Sequence, residues 1–244
     1  STTELVRREA LWKASELYGE AGSLADEKRV LSDIVARYPE PISESIEARA
    51  RMAEIAKETG NQAERIAILE TLIQVDATAG VQRSDRSRYL AATASLELAE
   101  PVRRRFEGVK LTQPLADSLK LKRDLMEEVI SAYTKASDYA VAEVTTASTY
   151  RLGEVYEQFS SDLMASDRPT NLEADALEQY EILLEEQAYP FEEKAIDLYK
   201  ANSDRAADGV YDDWVEKSFD RLAGLMPARY AKKERSENVV TALY

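Results

Sequence analysis

The 244-residue chain contains neither cysteine nor histidine. Their absence removes thiol nucleophiles, Ser-His-Asp triads, thiolate zinc sites and every metal site built on imidazole. It also removes the side chain that most often serves as a general base near neutral pH. A chain without cysteine is compatible with an oxidising compartment such as the periplasm. Glycine (8) and proline (7) are scarce, so few positions interrupt a helix. No apolar run approaches the ~18 residues needed to cross a membrane, so direct membrane insertion is not expected. Nor is there an excess of positive charge: the net charge of −14 is the wrong sign for generic nucleic-acid binding. The chain starts at Ser1 rather than Met, which predicts a processed protein or an excised piece of a longer one.

What remains is rich in Ala, Leu, Glu, Arg and Lys. Apolar residues recur at three- and four-residue spacing from residue 4 onward, and no stretch alternates convincingly. Breaks are expected at 38–41, 59–61, 76–82, 110–114, 166–171, 188–190 and 208–209. They divide the chain into about ten helices paired in about five hairpins. The class expected is all-α.

The hairpins carry a repeat of about 34 residues. Leu11, Ala14, Ser15, Tyr18, Gly22, Leu31, Ile34 and Pro39 fall at the large, small, aromatic and turn positions of a tetratricopeptide repeat. Met52, Ala53, Ala56, Gly60, Leu69 and Leu72 follow in a second copy. Glu27, Arg49 and Arg65 depart from the pattern. In "YRLGEVY", Leu152, Gly153 and Tyr156 have the same Leu-Gly-x-x-Tyr spacing. A mid-helix glycine costs about 1 kcal/mol relative to alanine. Close helix–helix contact would offset that, with Ala176, Tyr180 and Leu183 as the expected partners. A last, lengthened hairpin is expected from Ala195 and Leu198 with Val215, Phe219, Leu222 and Pro227. Residues 83–139 fit the repeat least and read as two long helices joined around 108–115. The expected organisation is two near-standard hairpins over 1–80, then elongated, divergent hairpins over 81–244, all in one α-α superhelix.

Residues 1–80 resemble tetratricopeptide repeats in general. The stretches "KLTQPL", "DYAVAEVTTASTY", "LEQYEILLEEQAYPFEEKAI", "DGVYDDWVEKSF" and "LMPARYAKKE" resemble the C-terminal part of large tetratricopeptide-repeat proteins of Gram-negative bacteria. That resemblance implies a periplasmic or envelope-associated scaffold. It is similar to proteins linked with TonB–ExbB–ExbD-type or gliding-motility systems, with no enzymatic activity and no cofactor.

Candidate sites follow from the repeat register. Trp12 and Tyr150 fall at a position that faces the concave groove in such repeats. Glu16, Glu54, Lys57, Glu154 and Glu157 share that face. They are the expected contacts for a protein or peptide partner. A second candidate is a basic stretch, Arg103, Arg104, Arg105, Lys110, Lys120, Lys122 and Arg123, set against only Glu107 and Asp117. It suits either an acidic partner or an acidic face of a neighbouring hairpin. Residues 171–200 hold nine acidic residues and two lysines. They read as a solvated helix face or an acidic groove for a basic partner. No catalytic or metal-binding set is expected. A binding scaffold is the leading expectation, a structural spacer or self-assembly domain the alternative, and a carboxylate-based all-α enzyme a third.

Overall fold

The computed structural model describes residues 2–231, and every described element is helical. Up to Ser148 the chain forms one compact unit, and a second begins at Thr149, inside a helix. The last three residues of the 225–234 stretch lie outside the described residues.

The first unit contains α1 (Thr2–Glu20), α2 (Leu24–Arg37), α3 (Ile42–Glu58), α4 (Gln62–Ala77), α5 (Asp85–Gly108) and α6 (Leu115–Ser137), followed by the start of α7 (Ala142–Met164). They pair as α1/α2, α3/α4 and α5/α6. Each hairpin packs on the next through α2/α3 and α4/α5, and α3 also touches α5. The expected turn glycines explain the tight hairpins. Gly22 and Gly60 both take left-handed φ values, +70° and +73°. In each turn the residue after the glycine donates its N–H five residues back, Ser23 to Tyr18 at 2.9 Å and Asn61 to Ala56 at 2.8 Å. These bonds satisfy helix-end carbonyls, and only glycine enters that backbone region without strain.

The cores form between hairpins. Val30, Leu31 and Ile34 of α2 meet Ala48 and Ile55 of α3, with Leu11, Trp12 and Tyr18 of α1 alongside. Ile46, Ala53, Leu69 and Leu72 of the second hairpin meet Ala91 and Ala94 of α5. The small residues on α5 let the backbones approach closely. Residues 83–139 form the two long helices expected, joined by a loop over 109–114, and Pro101 lies within α5.

Two of the three departures from the repeat pattern, Glu27 and Arg65, are charges that tie hairpins together, while Arg49 donates to the Ser45 carbonyl of its own helix at 3.0 Å. Glu27 is buried in α2, and Arg51 of α3 clasps it with two bonds of 2.6 and 2.9 Å. Its carboxylate lies beside Gly19, where a Cβ would approach it to 3.2 Å. Arg65 of α4 pairs with Glu97 of α5. Lys28–Glu64 at 2.6 Å and Glu47–Arg86 at 2.6 Å repeat the theme between α2 and α4 and between α3 and α5.

Ala140, after α6, takes φ +52° and is exposed. A residue with a Cβ costs roughly 1–2 kcal/mol in that region. Ala140→Gly is therefore expected to raise the unfolding free energy by about 1 kcal/mol, which a denaturant titration would read. No change or a loss would mean that this turn relaxes out of the left-handed region.

The second unit contains the rest of α7, then α8 (Ala174–Asp204), α9 (Asp213–Leu225) and the short α10 (Pro227–Tyr230). The break expected at 188–190 does not exist: α8 runs through Pro190. Pro190 is exposed, so the carbonyl it leaves unpaired can turn to water. Gly153 is a close contact, as its spacing implies, but with a different partner. A Cβ there would lie 2.5 Å from Cε1 of Tyr199, in the second half of α8. Of the partners expected, Ala176 is exposed and Leu183 is 56% exposed. The rings of Phe159 and Phe191 meet at 4.5 Å, continuing the α7/α8 contact. Tyr150, Ala195, Tyr199 and Leu222 form the core of the unit.

Candidate functional site

The residues expected to line a concave groove are divided between the two units, Trp12, Glu16, Glu54 and Lys57 in the first and Tyr150, Glu154 and Glu157 in the second. Tyr150 is only 8% exposed and packs its ring 5.7 Å from Tyr199 and 5.6 Å from Trp214. It is a core residue of the second unit. Trp12 is half-buried against the α2 cluster and donates its indole N–H to Glu44 at 3.0 Å. Glu157 accepts from Tyr199 at 2.9 Å and from Arg221 at 2.7 Å. Burial, with Glu157 beside it, pushes the Tyr199 hydroxyl pKa well up. Glu154 pairs with Arg151 at 2.7 Å, Glu16 with Lys13 at 2.7 Å and Lys57 with Glu54 at 3.8 Å. Of the set, Glu54 lines a hollow of about 270 Å³ between α3 and α5. Arg86–Glu47 and the Glu97 partner of Arg65 occupy the same hollow. Burial raises the Glu97 carboxyl, Arg65 opposes the shift and Glu54 adds to it.

The basic stretch divides into buried, paired and exposed side chains. Lys122 is fully buried and donates to the carbonyls of Phe106 at 3.1 Å and Val109 at 2.7 Å, closing the end of α5. Arg103 is held by Glu100 and Glu107, and Arg105 pairs with Glu128 at 3.3 Å. Arg104, Lys110, Lys120 and Arg123 are exposed. In the acidic stretch, Tyr189, Glu192, Glu193 and Asp197 border a shallow hollow of about 290 Å³ on α8. Among the described residues no cluster of three or more His, Cys, Asp or Glu could hold a metal ion, and no helix is long and apolar enough to cross a membrane.

The largest described cavity lies elsewhere. An open groove of about 760 Å³ runs over α5 between α4 and α6. Ser95, Leu98 and Ala99 of α5 form its floor, with Ile73 of α4 and Ala132 of α6 as apolar walls. Glu127, Glu128, Ser131, Lys135 and Asp138 stand along the α6 side. From Glu127 to Tyr139 the groove follows roughly three helical turns, about 18 Å.

One end of the groove is built firmly. Tyr139 packs against the second-hairpin cluster that holds Ile73 and Val75. The Arg83 guanidinium sits 5.4 Å from the Tyr139 ring centroid. Arg83 is held in turn by fully buried Asp76 at 2.9 Å, which also accepts from the Ser87 hydroxyl at 2.7 Å. Ser87 belongs to the capping box that starts α5. The start of α5, the end of α4 and the second residue after α6 are thus linked beside the groove. Sequence reasoning found none of this groove, which no motif or spacing marks.

No protein-family model, curated protein or solved structure matches the chain.

Proposed function

We propose that the chain is a non-catalytic scaffold of the tetratricopeptide-repeat type, and that its first unit holds an amphipathic helical segment of a partner protein. The groove over α5 carries this reading. It is open, floored by Leu98 and Ala99 with Ser95, bordered by polar side chains and long enough for about three turns of a helix. The repeat type is supported by three consecutive hairpins, left-handed glycines in the first two turns and contact between α3 and α5. A non-catalytic role is supported by the lack of histidine and cysteine and by carboxylates engaged in ion pairs between hairpins. A bacterial-envelope setting is supported by the resemblance of residues 95–235 to large envelope repeat proteins.

A display selection tests the groove. The full chain and Ser131→Trp, which fills the groove from an exposed position, would be offered the same library of helical peptides. The wild type is expected to enrich sequences with apolar residues at i, i+3 or i+4, and i+7. These should lose binding to Ser131→Trp. Enrichment of no such sequences, or equal binding to both chains, would exclude the groove and favour a spacer.

A further inference from the structure

The charge around the groove points to a cationic occupant: we infer that it takes a basic amphipathic helix with Lys or Arg near both ends of the docked stretch and none in the middle. This rests on the groove being a helix site. Glu127 and Glu128 stand at one end of the α6 rim and Asp138 at the other, with Lys135 between them. Glu128 shares Arg105, while Glu127 and Asp138 are exposed, with no ion pair among the described residues. The two acidic positions are separated by about ten residues of helix, roughly 15 Å. Basic residues about three turns apart on a partner helix would reach both. The apolar residues between them would lie over Leu98, Ala99 and Ala132.

The Asp138 end has a second source of negative potential. α4 ends four residues after Ile73, and α6 ends at Ser137, just before Asp138. Two helix C-termini therefore approach this end of the groove, each carrying about half a negative charge. Two cations lie at this end: Arg83, already bound to buried Asp76 and set over the Tyr139 ring, and Lys135 in the last turn of α6. Asp138 is exposed. Lys135 disfavours a third basic residue on the partner and sets the interrupted pattern.

Fluorescence anisotropy on the full chain tests the inference with two labelled peptides of about 15 residues that share one leucine face. One carries lysine at both flanks, the other glutamate. The lysine peptide is expected to bind at least about fivefold more tightly at low salt. That advantage should shrink as salt rises, and invert in a Glu127→Lys/Asp138→Lys chain. Both altered positions are exposed, so circular dichroism should be unchanged. Both peptides should lose binding to Leu98→Glu and to Ser131→Trp. Equal binding of the two peptides would overturn the cationic occupant and leave the groove as a helix site. Binding of neither, or binding indifferent to Leu98→Glu and Ser131→Trp, would overturn the groove and the inference with it.

Discussion

Gly153→Ala is expected to melt at a lower temperature than the wild type, and Gly153→Leu lower still, although both substitutions improve intrinsic helix propensity. The gain in propensity is about 1 kcal/mol for alanine. Against it stands a Cβ placed 2.5 Å from Cε1 and 2.8 Å from Cζ of Tyr199. Tyr199 cannot easily give way. It is fully buried, its hydroxyl donates to Glu157 at 2.9 Å, and Tyr150 and Leu222 pack around it. Overpacking of this kind costs about 1–3 kcal/mol, occasionally more, so alanine ends below the wild type and leucine near or beyond the upper end. Space returned on the other side should compensate. Tyr199→Leu in the Gly153→Ala background should lose less than the sum of the two single changes, by about 0.5–3 kcal/mol. A Gly153→Ala chain as stable as the wild type, or strictly additive changes, would contradict the contact between α7 and α8.

Arg51→Met is expected to destabilise the first unit by about 3–5 kcal/mol at neutral pH. The loss arises at the partner. The Glu27 side chain is 5% exposed, and Arg51, 37% exposed, supplies both bonds to its carboxylate. The same bond, with Glu58 adding to it, holds the Arg51 guanidinium well above its ordinary range. Methionine keeps much of the stem's volume but leaves a buried charge without a counterion. Chemical denaturation at neutral pH would read the loss. A small one would mean that water reaches Glu27 and that the pair does not hold the first two hairpins in register.

The helices, the turns at Gly22 and Gly60 and the role of Gly153 are all legible in the residues, because each depends on local spacing. The partner of Gly153 is not. Pro190 reads as a stop, and only its exposed position shows that α8 can continue through it. Once α8 is one helix, Tyr199 rather than Leu183 meets the glycine. Tyr150 and Trp12 show a different limit. An aromatic on an amphipathic helix satisfies a core and a groove equally well, and a small rotation decides between them. Charges at Glu27 and Arg65 look like flaws in the repeat until Arg51 and Glu97 are placed opposite them. The groove over α5 has no motif, because its lining comes from three helices, α4, α5 and α6. At its Tyr139 end Arg83 lies over the ring, Asp76 holds Arg83 and Ser87 donates to Asp76, a chain of contacts that their nearness in sequence does not reveal.

The location of the occupant can be measured directly because the chain has no cysteine, so a single introduced thiol is unique. Ser131→Cys places that thiol on the groove wall, and Ser43→Cys places it on an exposed turn of α3 away from the groove. The rate of maleimide modification of each would be followed with and without saturating leucine/lysine peptide. The groove account predicts severalfold slower modification of Ser131→Cys and an unchanged rate for Ser43→Cys. Unchanged modification of Ser131→Cys with the peptide bound, or protection of Ser43→Cys alone, would contradict it.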